Sequence, residues 1–164
     1  MTELVIGTCN IRYAAPDANN LWSDRLPLLA ETIRSIAPHI LGTQEGWEWQ
    51  LRELESALPG YTIVDENRYW MEERMYPSLF LSSELSSGNS GDVWLSETPE
   101  LPGSRSFGSL YPRLMCWVEL FSETTSPLIC ANLHLDHKSE ETRVRQVEVA
   151  LSALADIVQA DTPL

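Results

Sequence analysis

The sequence is poor in positive charge, in cysteine and in long apolar runs. Lysine and arginine together number 11 against 24 aspartates and glutamates, a net charge of −13. A surface of that sign disfavours long-range attraction to nucleic acid or to an anionic membrane. It does not exclude a phosphorylated substrate, because a divalent cation bridges carboxylate to phosphate. The three cysteines, Cys9, Cys116 and Cys130, follow no paired spacing and fall in apolar segments. That argues against a disulfide framework or a cysteine zinc motif, and for small buried hydrophobes in a reducing compartment. No apolar stretch reaches the length of a membrane span. "MTELVIGTCNI" enters a strand pattern with no basic–apolar–small leader, so a cytoplasmic location is expected. No G-x-S-x-G occurs, and cysteines inside apolar strands are poor nucleophiles, which weighs against a serine or cysteine hydrolase.

What is present suffices for one domain over 1–164: 164 residues with 43 % hydrophobic content. "LVIGTCNI" (4–11) reads as a strand buried on both faces. Trp22, Leu26, Leu29, Ile33 and Ile36 recur at helical spacing, with Ser23 as the expected cap and Pro27 in the first turn. "HILGTQE" (39–45) reads as a second buried strand. Trp47, Leu51, Leu54 and Leu58 mark a second helix, stopped by Pro59–Gly60. "YTIV" (61–64) and "SLFL" (78–81) read as strands. Residues 82–113, rich in Ser, Gly and Pro, are expected to be mostly loop with a short strand near Val93–Leu95. "LMCWVELF" (114–121) and "PLICANLHL" (127–135) read as a hairpin. A last helix over 139–160 is capped by Ser139, with Val144, Val147, Leu151, Leu154 and Val158 as its expected buried stripe. Early alternation of strand and helix followed by hairpins predicts a mixed α/β (α+β) domain, sheet layers covered by helices.

Three strand ends carry polar groups: Asn10 after "GTC", Glu45 after "GTQ", His134 after "ANL". The ends of α/β strands are where sites are built. A carboxylate and an amide oxygen are hard ligands that suit Mg²⁺ or Mn²⁺ better than zinc. Each end alone also reads as a cap or a solvated strand exit. In "ICANLHLDHK", strand alternation puts Asn132, His134 and Asp136 on one face. His134 and His137 are three apart, which on a strand sends them to opposite faces, so a two-histidine zinc site is not expected.

"TCNIR" (8–12), "TQE" (43–45), "LSETPELPGS" (95–104), "YPR" (111–113) and "NLHLDH" (132–137) occur in this order. Together they resemble the endonuclease/exonuclease/phosphatase superfamily, whose relatives include DNase I-like nucleases, inositol polyphosphate phosphatases and sphingomyelinases. The nearest likeness is to its bacterial hydrolases. The resemblance implies a DNase I-like four-layer α/β sandwich, its mixed sheet covered by helices on the outer face, and a Mg²⁺-dependent phosphohydrolase activity. It implies that Glu45 is the principal metal carboxylate and that Asn10 sits beside the metal. His134 would hydrogen-bond a non-bridging phosphate oxygen, and Arg113 would add permanent charge. Asn132, Asp136 and His137 are secondary candidates for substrate contact. Their structural alternatives are backbone bonding for Asn132, a helix cap for Asp136 and a solvated loop role for His137; for His137, and for Arg12 as the partner of a carboxylate, the structural role is the expected one.

The resemblance also implies features that are missing. The family's later G-D-x-N and S-D-H signatures, which position and activate the attacking water, do not occur, and Met75 stands where many relatives have a glutamate, with Glu72 and Glu73 as the alternatives nearby. The expectation is therefore the N-terminal half of a longer enzyme, able to self-associate through an exposed face. Its substrate would be a phosphodiester or phosphomonoester. The acidic charge leans toward a small phosphorylated metabolite, sugar phosphate or lipid headgroup over nucleic acid. The rival reading is a non-catalytic binding module that keeps the first half of the fold.

Overall fold

In a computed structural model, which describes residues 3–17, 19–121 and 128–160, seven strands and three helices are laid down in the order β1 (Ile6–Asn10), α1 (Trp22–Ile36), β2 (Ile40–Trp47), α2 (Glu48–Ala57), β3 (Tyr61–Ile63), β4 (Met75–Ser82), β5 (Ser86–Trp94), β6 (Leu114–Phe121), β7 (Leu128–Leu133) and α3 (Glu140–Ala160). A mixed sheet runs β1-β2-β4-β3, and an antiparallel sheet runs β5-β6-β7. Among the described strands only the β1–β2 pairing is parallel, Ile6 opposite Ile40 and Asn10 opposite Gln44. That register brings the C-terminal ends of β1 and β2 side by side.

Four layers result. Helices α1 and α2 cover one face of the mixed sheet, burying Trp22, Ile33, Leu51, Leu54 and Leu58 against Leu41, Tyr76 and Phe80. The other face meets the antiparallel sheet through Ile40, Leu79, Leu81, Cys116, Val118 and Leu120. Helix α3 covers the far face of that second sheet through Ala150, packed with Leu95 and Met115. Strand β4 is buried on both faces from Tyr76 to Leu81 because layers lie above and below it. Each of Leu51, Leu54 and Leu58 is fully buried, a contribution of about 1.5–3 kcal/mol per side chain. The fold is the expected DNase I-like α+β sandwich. No described helix is long and apolar enough to cross a membrane.

Several local expectations are corrected. The stretch 82–113 is mostly loop, as expected, but its strand is longer and begins earlier than Val93–Leu95: nine residues form β5, antiparallel to β6. Its Ser/Gly composition hides the strand, since pairing outweighs propensity where a partner edge is available. Among the described residues β1 is an edge strand and is not covered on both faces, and Ile6 is 58 % exposed. Helix α1 starts on Trp22, with Leu21 in the cap position and its carbonyl accepting from the N–H groups of Asp24 and Arg25. Ser23 therefore lies inside the helix, and Pro27 is in its body. On α3, Ser139 caps as expected, accepting the N–H of Thr142 at 3.1 Å. The buried stripe, however, is Thr142, Gln146 and Ala150, while Val144, Val147, Leu151 and Val158 are exposed. The polar stripe wins the inner face because Gln146 accepts the backbone N–H of Asp136 and Thr142 donates to the Phe107 carbonyl. The turn joining β6 to β7, and Pro127, lie outside the described residues.

Candidate functional site

The site lies where the two sheets meet at one end. Asn10 closes β1 and Glu45 lies near the end of β2, while Arg113 immediately precedes β6 and His134 immediately follows β7. Sequence reasoning names all four, and the fold brings them into one row.

Glu45 sits at an irregularity in the β2–β4 pairing between Thr43 and Gly46, with φ of 64°. A non-glycine residue in the left-handed region is strained, and such strain concentrates at functional positions. The next residue has to be glycine: a Cβ on Gly46 would fall 2.6 Å from Leu51 Cδ2. Asn10 Nδ2 donates to Glu45 Oε1 at 2.9 Å, and Asn10 Oδ1 accepts the Arg12 N–H at 2.9 Å. The amide thus turns its nitrogen, not its oxygen, toward the carboxylate. The loop after β1 is fastened from below. Gln50, fully buried, accepts the Ala14 N–H and donates to the Arg12 carbonyl, and Arg25 donates to the carbonyls of Ile11, Arg12 and Tyr13. Arg12 itself pairs with Asp17 at 3.3 Å.

Across the gap, His134 Nε2 lies 3.8 Å from Glu45 Oε1, too far for a hydrogen bond. His134 Nδ1 lies 3.2 Å from Arg113 Nη1, and His137 Nδ1 lies 3.3 Å from Arg113 Nη2. A guanidinium only donates, so both Nδ1 atoms accept and both rings, when neutral, carry their proton on Nε2. Burial lowers the His134 pKa, and the Arg113 charge lowers it further against the opposing pull of Glu45. Neutral His134 therefore presents an Nε2–H donor toward Glu45. Burial also lowers the Arg113 pKa, with Asp136 and Glu45 acting the other way; an arginine nonetheless stays charged.

The two histidines converge on Arg113, where strand alternation separates them. The reason is that β7 ends at Leu133, so His134 to His137 belong to a turn. Their Nδ1 atoms face a guanidinium, and no group of three His, Cys, Asp or Glu among the described residues could hold a metal. A dedicated zinc cage is absent from those residues. Glu45 does fit a hard ion such as Mg²⁺, which keeps several waters and needs one or two carboxylates beside substrate oxygens.

Asn132 and Asp136 are placed away from the row's open side. Asn132 is 9 % exposed. Its Nδ2 donates to the carbonyls of Thr43 and Ser78, and its Oδ1 accepts from Gln44, so it ties the two sheets together. Asp136 is 3 % exposed. It accepts from the N–H groups of Lys138 and Ser139 and from the Ser109 hydroxyl. Burial alone would raise its pKa, but those hydrogen bonds and Arg113 together hold it below the usual carboxylate range. Ser109, Gln50 and Arg25 had no motif to announce them. Tyr111, in "YPR", lies beneath the Arg113 guanidinium, 5.9 Å from the ring centre.

The thiols stay out of the chemistry. Cys116 is buried and its pKa is pushed up to about 12, by burial first; burial raises Cys9 and Cys130 as well.

No protein-family model matches the chain, and no curated protein matches it in sequence. Solved structures do match. The mannosyl-6-phosphatase of Bacteroides thetaiotaomicron aligns at TM-score 0.88 and 26 % identity, over 98 % of this chain and 62 % of its own. An endonuclease/exonuclease/phosphatase of Bacteroides vulgatus aligns at TM-score 0.88 and 26 % identity, over 96 % of this chain and 62 % of its own. D. rerio TDP2, complexed with a single-strand DNA product, aligns at TM-score 0.72 over 99 % of this chain and 57 % of its own, but at 15 % identity it shares the fold alone. The chain spans about six-tenths of the length of the first two relatives.

Proposed function

We propose that this chain, whose structural neighbours are endonuclease/exonuclease/phosphatase proteins, carries the metal- and phosphate-binding residues of a phosphate-ester hydrolase. The observation that carries the reading is the state of Arg113. It is 8 % exposed, its terminal nitrogens face the Nδ1 atoms of two imidazoles, and its buried Nε has no hydrogen-bond partner among the described residues. A buried guanidinium with no carboxylate hydrogen-bonded to it is costly unless an anion joins it. A phosphoryl group matches that demand in charge and shape.

In this reading Glu45 holds Mg²⁺ or Mn²⁺, and Asn10 orients the Glu45 carboxylate through its Nδ2. The ion, when bound, polarises a phosphoryl oxygen as a Lewis acid. Arg113 and the His134 Nε2–H bind the non-bridging oxygens and stabilise the charge that grows on them. Arg113 also holds His134 in the donor tautomer, so the two act as a unit. Phosphomonoester and phosphodiester substrates both fit this arrangement. The mannosyl-6-phosphatase neighbour, at the higher identity, weighs toward a small sugar phosphate.

The test is hydrolysis of p-nitrophenyl phosphate and bis-p-nitrophenyl phosphate with Mg²⁺ or Mn²⁺. Glu45→Ala and His134→Ala should each lower kcat/KM by about 10²–10³-fold. Turnover that survives both substitutions would assign the activity elsewhere. No turnover with any divalent ion would overturn the hydrolase reading for this chain and leave a phosphate-binding module.

A further inference from the structure

Beside the metal carboxylate is a groove that the phosphate chemistry does not use. It has a volume of about 680 Å³ and runs between the β2–α2 junction and the segment leading into β4. Trp47 and Trp49 form one wall, Met71, Glu72 and Glu73 the other. Its place follows from the sheet. Trp47 is opposite Met75 in the β2–β4 pairing, which puts residues 71–74 at the end of β2 where Glu45 lies. Trp47 lies two residues along the chain from Glu45, which places the groove's near wall at the strand end that carries the carboxylate. Two contacts between the β1 and β2 ends lie side by side there: Asn10 with Glu45, and Tyr13 stacked on Trp47 at 6.2 Å between ring centres.

The aromatic wall is pre-arranged. Tyr13 occupies part of Trp47 at an interplanar angle of 24° and does not line the groove. Trp49 stands edge-on to Trp47 at 6.1 Å and 74°, and is 43 % exposed. Exposed indoles held by neighbours offer flat apolar area at little entropic cost. The polar rim is acidic. Glu48, Glu53, Glu72 and Glu73 line it against Arg52 and Arg74. Arg52 is already engaged by Glu55 and Asp65, neither of which lines the groove. The groove is therefore net negative, which repels a second phosphate or a polynucleotide. Carboxylates at the rim accept hydrogen bonds from hydroxyl groups, and the indole faces suit the C–H face of a saturated ring.

We infer that the groove between Trp47–Trp49 and residues 71–74 is the subsite for a neutral, polyhydroxylated sugar ring, the alcohol part of the phosphate ester. The inference rests on the phosphate reading of Arg113 and His134 only for the ring's attachment. The groove itself can be tested without turnover. Indole N–H signals are followed by NMR while methyl α-mannoside, which has no phosphate, is added to the full chain. The expected result is saturable shifts of the Trp47 and Trp49 signals, abolished for Trp47 in the surface substitution Trp49→Ala. Absence of shifts would overturn the subsite. So would a larger response to tetramethylammonium chloride than to the glycoside, which would make the groove a cation site. In turnover, Trp49→Ala should raise KM for mannose 6-phosphate at least tenfold and change kcat less than threefold. An unchanged KM would overturn the subsite. If neither mannose 6-phosphate nor p-nitrophenyl phosphate is hydrolysed, the hydrolase reading fails, and the NMR titration still decides the groove.

Discussion

At the scale of single residues, the site is built from small conflicts held in place by neighbours. Glu45 combines a left-handed backbone with a carboxylate near a neutral imidazole. Replacing a left-handed non-glycine residue by glycine relieves about 1–2 kcal/mol of steric cost. The partly exposed Asn10 bond lost with it is worth less than about 1 kcal/mol. Glu45→Gly should therefore match or exceed the parent in urea midpoint, with an unchanged m-value, while hydrolysis is lost. A fall in stability of more than about 1 kcal/mol would show that Glu45 is held without strain. Legibility at this scale was uneven. Asn10, Glu45, Arg113 and His134 stand at strand ends or in motifs, and that local signal found them. The tautomer of His134 could not be read, because it depends on a donor 21 residues away.

At the scale of elements, one polar link between the sheets is Asn132 on β7, beside Arg68, which joins Ser78 on β4 to Asp92 on β5. The Asn132 amide bridges to β2 and β4 through three hydrogen bonds. Gly42 makes room for it, since a Cβ there would approach Asn132 Cγ at 3.0 Å. Removing the amide takes one partner from each of the Thr43 and Ser78 carbonyls and the Gln44 amide, while Thr43 Oγ1 still reaches the Ser78 carbonyl and Gln44 Nε2 still donates to Thr8. Asn132→Ala should cost about 2–4 kcal/mol, because a group left unpaired costs about 1–3 kcal/mol and the other two keep a second partner. Urea unfolding measures it, and a loss below about 1 kcal/mol would remove the linking role. "NLH" in the sequence suggested a substrate contact for Asn132; the packing of one sheet on the other gives it this place instead. The same dependence explains β5 and α3. A Ser/Gly strand becomes visible only beside its partner. The exposed valines of α3 have helical spacing, and spacing alone does not say which stripe meets a sheet.

At the scale of the whole molecule, the acid response follows from groups at the sheet junction. The His134 pKa is depressed from 6.5, so the unfolded chain takes up that proton first. Its contribution is complete above about pH 6.5 and is lost as pH falls toward the depressed value. Asp136 is depressed from 3.8, so its contribution is intact above that pH and is lost as pH falls through the lower folded value. The thermal midpoint should fall in two stages on acidification. Asp136→Asn should lower the midpoint at neutral pH, since an amide nitrogen cannot replace both acceptors, and flatten the second stage. A second, more acidic stage that persists unchanged in Asp136→Asn would refute the assignment.

Local pattern in the chain determined most elements, the mixed α/β class and the polar strand ends Asn10, Glu45 and His134, because periodicity and strand ends are properties of neighbouring residues; Arg113 came from the resemblance carried by "YPR". Tertiary structure decided which stripe of α3 is inside and that β1 is an edge among the described strands. It also turned two histidines onto one guanidinium, and assigned Asn132 and Asp136 to the scaffold. These depend on partners far away in the chain, and a hydrogen bond or a buried face exists only once both partners are in place.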